Sequence, residues 1–373
     1  KNHHLHDKVE FEVATTCYTF DIEKQLDRLI PGVLSNEEQS VYKRTLLDLT
    51  CAHVNGHISS VESQYKKIEK LARRRSEIIK EGKTADLLTV SRLLEDAIEL
   101  GTIPFSILAR HGFIASSLIR SLVEEGALTS EEVESLQRSI PTVASDFLLD
   151  TERYGRDIIT KEDYLNKYGH LRPGTYDILS LRYDQRDLAV GEADSREVGK
   201  ITENERAFHL APQTKQKISE LLGNHGFECS VDQLLKYIRS AIQGREYGKF
   251  VFTANLSDSL EIISEWGANF GLSREELSFV DVRQLLDCLT ESQGRSVESH
   301  LRSISEKAGR YYQVTTAVRL PSLITQPSDL VIVPLAVDQP NFITRKNMSG
   351  PIAVVKGGQQ EPDSIDDKIV VIE

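Results

Sequence analysis

Apolar residues recur at helical spacing through most of the chain, from about Ser35 to Ala308. The clearest case is Val231, Leu234, Leu235, Ile238, Ala241 and Ile242, whose spacing of three, four and seven lines one face of a helix. Ser230 and Gln233 form a capping-box pattern at its start, and Gly244 is a stop signal at its end. The same start pattern occurs at Ser35/Glu38, Thr129/Glu132 and Ser273/Glu276, and Val282, Leu285, Leu286 and Leu289 repeat the apolar spacing. The periodicity therefore predicts a mainly α protein built around a multi-helix domain.

Towards the C-terminus the pattern shortens. Tyr311–Val318 alternates loosely, and Leu330–Val333, Ile352–Val355 and Ile369–Ile372 are short apolar runs, so all four read as strands. Pro321, Pro327, Pro334, Pro340, Pro351 and Pro362 punctuate them, as turns between short strands require. We place a boundary near Val337–Asn341, between a helical domain over 35–337 and a small β-rich segment over 338–373. Val9–Val13 alternates over five residues, which fits a strand and the first turns of a helix equally. The polar stretch Asp184–Glu205 reads as a long loop.

With 39% hydrophobic and 27% charged residues, the 373-residue chain has the composition of a globular protein. A net charge of −12 argues against a broad nucleic-acid face, and the basic run Arg73–Arg75 reads as a solvated helix surface. No apolar run approaches the roughly 20 residues that span a bilayer. The polar first residues lack the core of a signal peptide, so the expected location is cytoplasmic, without a membrane partner. Cys17, Cys51, Cys229 and Cys288 lie far apart and contain no Cys-x-x-Cys pair. The chain begins at Lys1, has Met348 as its single methionine and stops in the apolar run Ile369–Ile372, which suggests a piece of a longer protein.

Candidate chemistry concentrates in Tyr168-Gly-His-Leu-Arg-Pro-Gly-Thr-Tyr-Asp177, where two glycines and a proline impose a specific turn. His170 and Asp177 are candidate acid–base or orienting groups. Arg172 offers a planar fork for a carboxylate or phosphate, Asp177 can orient Arg172 or His170, and Tyr176 lies beside them. A purely structural turn accounts for the same residue types equally well. Arg182 and Tyr183 follow the loop, and Arg153 and Tyr154 precede it, within reach of the same pocket. Arg110 and Arg245 interrupt amphipathic helices, and each implies a facing carboxylate or an anionic ligand if it is buried.

A metal-dependent phosphohydrolase would need His3, His4, His6 and Asp7 to converge with His53, His57 and His111, although their spacing alone supplies no ligand set. No His-Glu-x-x-His, Gly-x-Ser-x-Gly or Gly-x-x-x-x-Gly-Lys sequence occurs, and no metal site is expected.

Tyr168–Ile178, followed by Ser180-Leu-Arg-Tyr183, resembles the central region of the phosphoenolpyruvate synthase and pyruvate phosphate dikinase-like phosphotransferases. Leu171 separates His170 from Arg172, and Thr175 stands where that family often has an acid. Leu5–Glu12 resembles the segment leaving an ATP-grasp domain, and Gln339–Lys346 with Asp367–Ile372 resembles the entry into a swivelling phosphohistidine domain. The family's Gly-rich carrier-histidine motif and its ATP-grasp domain are absent from this sequence.

The resemblance implies that 1–34 is a linker from an ATP-grasp domain, 35–337 an acceptor-binding centre and 338–373 the start of the phosphohistidine domain. ATP and magnesium would serve the parent enzyme, with none expected on this fragment. The partners would be those two domains and a small-molecule acceptor, among them the amide of L-glutamine in the glutamine kinase-like subgroup. A helical interaction scaffold without catalysis is the alternative from another class.

Overall fold

A computed structural model describes residues 15–81, 86–186, 208–289, 296–318, 324, 326–330, 350–355 and 369–372. The protein is mainly α-helical, and it separates into two compact units, Lys1–Thr316 and Ala317–Glu373.

The first unit opens with helices α1 (Ile22–Leu29), α2 (Asn36–Val54) and α3 (Val61–Glu81). Next comes α4 (Leu87–Asp96), which runs through a π-helical turn, Ala97–Thr102, into α5 (Ile103–Glu124). The widened turn lies just before Pro104, which has no N–H to donate to the carbonyl of Leu100 and would otherwise crowd it. Short helices α6 (Ser130–Ser139), α7 (Val143–Gly155) and α8 (Lys161–Tyr168) lead to the Gly169–Tyr183 loop. After it come α9 (Pro212–His225), α10 (Val231–Ala268), α11 (Arg274–Ser278), α12 (Val282–Asp287) and α13 (Val297–Ala317).

The four expected capping boxes all form, at Ser35, Thr129, Ser230 and Ser273. In each, the Ser or Thr oxygen accepts the backbone N–H three residues on, and the Glu or Gln at that position accepts the cap's own N–H. Gly244 is not a stop. Helix α10 continues through it for 38 residues in all, about 57 Å. A Cβ at Gly244 would meet Leu108 Cδ2 at 3.1 Å and Val61 Cγ1 at 3.3 Å, so the glycine serves close packing of α10 on α3 and α5.

Along its length α10 contributes to three apolar clusters. Leu234 and Ile238 pack with Leu118, Leu122, Leu136 and Ile218. Val251 and Phe252 pack with Ile68, Leu71 and Leu108. Ile263 packs with Val90, Leu277, Leu285, Leu301 and the loop residue Ile178. The run Leu87–Glu124 is long and apolar enough to cross a membrane, yet Val90, Leu93, Leu108, Leu118 and Leu122 within it are fully buried in the fold.

Tyr311–Ala317 is helical, contrary to the strand expected there. Its alternation comes from β-branched and aromatic side chains, but α13 is already nucleated upstream and each added residue gains a further backbone hydrogen bond. Thr315 Oγ1 donates to the Tyr311 carbonyl at 2.9 Å, within the helical turn.

In the second unit, Ile352–Val355 (β1) and Ile369–Ile372 (β2) pair in parallel, with Ile352 opposite Ile369 and Val355 opposite Ile372. Leu330 closes a single 3-10 turn, Pro327–Leu330. Val9–Val13, Val331–Val333, the expected boundary at Val337–Asn341 and most of Asp184–Glu205 lie outside the described residues.

Candidate functional site

The loop after α8 is held at both ends by its backbone and its flanking side chains. Tyr168 is fully buried and its hydroxyl donates to Asp150 Oδ2 at 2.9 Å, while Lys167 pairs with the same oxygen at 2.8 Å. The Tyr183 N–H donates to the Leu171 carbonyl at 2.8 Å, closing the loop. Gly169 is required by space: a Cβ there would lie 2.4 Å from the Leu165 carbonyl oxygen. Ile178 anchors the far side in the apolar cluster shared with α10 and α12.

Arg172 lies at the centre of this arrangement, and the structure corrects its expected role. Its side chain is 1% exposed, and every nitrogen of the guanidinium has acceptors within the fold. Nη1 donates to the carbonyls of Asp177 and Ser180 at 3.3 and 3.0 Å. Nε and Nη2 donate to Ser257, and Nη2 also to Glu261 Oε1 at 2.8 Å. With its donors used internally, Arg172 ties the loop to α10 and does not reach outward for a carboxylate or phosphate. Its carboxylate partner is Glu261. Asp177 supplies only its backbone carbonyl, and its side chain instead accepts the Leu179 N–H at 2.9 Å.

Glu261 is the hub of the network. It accepts from Arg172, from Arg274 Nη2 at 2.6 Å and from Gln185 Nε2 at 2.5 Å. Burial alone would raise its pKa, but Arg274, Gln185 and Arg172 together hold the carboxyl below the usual range. One turn earlier on α10, Asp258 takes Arg75 on one oxygen at 2.6 Å and Arg182 on the other at 2.8 Å. Arg182 also pairs with Asp184 at 2.7 Å. Arg75 is therefore part of a tertiary ion pair, and Arg74 likewise holds the buried Asp96 at 2.7 Å.

His170 lies inside this cluster, 6% exposed, with its ring against Phe250 at 4.7 Å between centroids. Ser257 Oγ donates to its carbonyl at 2.6 Å, and one ring nitrogen donates to the Phe250 carbonyl. Nε2 is buried without a partner among the described residues. Burial first, and then the charge of Arg75, push its pKa down to about 4, so the ring is neutral and Nε2 is a bare acceptor. Asp258 opposes that shift and Arg182 reinforces it.

Of the other expected site residues, Arg182 joins His170 and Arg172 at α10. Tyr176, 69% exposed, and Asp177 lie on the outer side of the loop. They border a cavity of about 260 Å³ with Leu94, Ile178, Leu260 and Leu285. Arg110 and Arg245 do not join the site. Arg110 is exposed on α5, and Arg245 lies half-buried over the Phe113 ring at 5.4 Å, so an aromatic face takes the place of the expected carboxylate or anion. Arg153 pairs with Asp150 at 3.4 Å, and Tyr154 stacks on Tyr164.

Sequence reasoning missed Ser257, Asp258 and Glu261. A signal was present: Asn255-Leu-Ser-Asp-Ser-Leu-Glu261 places polar residues where the helical pattern calls for apolar ones. Among the described residues no group of three His, Cys, Asp or Glu side chains is placed to hold a metal, and His3, His4, His6 and Asp7 lie outside them. The chain matches no family model, no curated protein and no solved structure.

Proposed function

We propose that this chain is the central, acceptor-handling region of an ATP-dependent phosphotransferase of the phosphoenolpyruvate synthase kind. In that reading a phosphoryl group moves from ATP to a carrier histidine elsewhere in the parent chain and then to a small-molecule acceptor, with the amide of L-glutamine one candidate. ATP and magnesium act in the first of those steps, at an ATP-grasp domain. The β1–β2 unit is the start of the carrier domain, and the location is cytoplasmic.

The observation that carries the reading is His170: a neutral imidazole with a bare, buried Nε2 beside the cations of Arg75 and Arg182. Transfer from phosphohistidine breaks a P–N bond and forms a bond to the acceptor's nucleophilic atom, which must give up a proton. An unprotonated imidazole takes that proton, and neighbouring guanidinium groups stabilise the charge on the moving phosphoryl group. Arg172 and Glu261 supply the rigidity that such positioning needs. Tyr176 and Asp177 are the loop's outward-facing contacts.

A non-catalytic helical scaffold has one observation in its favour, the complete internal use of Arg172. Against it stand the orphaned His170 nitrogen and the cavity bordering Tyr176 and Asp177. The test is to treat the full-length chain with phosphoryl-labelled ATP. An acid-labile, base-stable protein label that L-glutamine or pyruvate discharges is the expected result, and the absence of any such label overturns the reading.

A further inference from the structure

A second cavity, of about 810 Å³, lies between the end of α2, the turn Asn55–Ser60, the first turns of α3 and one stripe of α10. From Ser240 on that stripe to Ser257 at the loop anchor is 17 residues along one helix, about 25 Å. The cavity is thus separate from the His170 cluster, and its chemistry is independent of the phosphotransferase reading.

The polarity of its walls is set by hydrogen bonds behind them. His111, fully buried, places Nε2 2.9 Å from the Ser59 carbonyl, which can only accept, so Nε2 carries the proton. Burial, the largest influence on its pKa, keeps the ring neutral, and Nδ1 is then an acceptor. The Tyr237 hydroxyl, 3.0 Å from Nδ1, must donate to it. Tyr237 lines the cavity, and its oxygen has acceptor capacity only. His53 lies beside it, its ring 5.2 Å from that of His111. Its Nδ1 donates to the Leu49 carbonyl at 2.9 Å, and its Nε2 has no partner among the described residues, on a side chain that lines the cavity.

The turn that forms one wall is strained in a way that the same network maintains. Ser59 has φ of 44°, in the left-handed region that a serine rarely adopts, and its carbonyl is the one that His111 holds. The rim is balanced in charge, with Glu62 and Glu69 on α3 against Lys66 and Lys236.

We infer that this cavity is a binding site for a small, uncharged or zwitterionic molecule that leads with hydrogen-bond donors, hydroxyls or an amine, towards Tyr237 Oη, beside the unpartnered Nε2 of His53. A phosphate or carboxylate leading into the same floor would meet, at Tyr237 Oη, an acceptor with no proton to give.

Calorimetric titration of the full chain tests this with four probes: D-glucose for the hydroxyl source, the zwitterion L-serine for the amine, and inorganic phosphate and pyruvate as anions. At least one donor probe binds, Tyr237→Phe weakens it about tenfold, and Ser240→Trp, which fills the cavity from its rim, abolishes it. The Trp variant leaves the His111–Tyr237 bond intact and so separates loss of the site from loss of the fold. Failure of both donor probes, binding indifferent to Tyr237→Phe and Ser240→Trp, or anion binding that these variants remove would each overturn the inference.

Discussion

Arg172 and Glu261, 89 residues apart, meet at 2.8 Å with side chains only 1% and 9% exposed. This contact fixes the loop on α10, and it turns a residue type that suggests ligand binding into a brace. Removing one partner leaves a buried charge alone. Arg172→Ala therefore costs about 3–5 kcal/mol, and chemical denaturation of the first unit reports it. Arg172→Lys recovers little, because an ammonium cannot reach Glu261, Ser257 and the two loop carbonyls together.

His170 sets a pH dependence with a definite sign. Its folded-state pKa, about 4, lies below the ordinary value of 6.5, so the unfolded chain binds more protons between those limits. Stability then rises with pH across that window, at most by about 1.4 kcal/mol per pH unit, and is fully present above pH 6.5. His111 and His225 are shifted in the same direction, so the measurement is a difference. Melting temperature against pH should fall less steeply below pH 6.5 in His170→Gln than in the wild type.

Two glycines with similar crowding should respond differently to alanine. At Gly101 a Cβ would lie 2.7 Å from Phe252 Cβ, an atom fixed to the α10 backbone, so Gly101→Ala destabilises by about 1–3 kcal/mol. At Gly112 the obstruction at 2.9 Å is Arg245 Cδ, part of a flexible arm. Gly112→Ala is near neutral in thermal melts because that arm swings aside.

The helical class and the helix starts were legible because they are local. Ser35, Thr129, Ser230 and Ser273 carry their partners three residues away, and apolar spacing reports a helix face directly. The site was legible only as a loop. Which groups surround His170 depends on Arg75 meeting Asp258 across 183 residues, and no periodicity encodes that pairing. Gly244 shows the limit from the other side: a glycine that admits a neighbouring helix has the same letter as one that ends its own. For Arg172 the residue type left both directions open, since a planar fork suits an internal network as well as a ligand.

If His170 takes the acceptor's proton, its loss must slow one half-reaction and spare the other. The decisive measurement is single-turnover transfer in the full-length chain, loading the carrier histidine from labelled ATP and then adding acceptor, for the wild type and His170→Asn. The account predicts normal loading and transfer slowed at least about 100-fold in the variant. Equal loss of loading and transfer, or transfer at the wild-type rate, would contradict it.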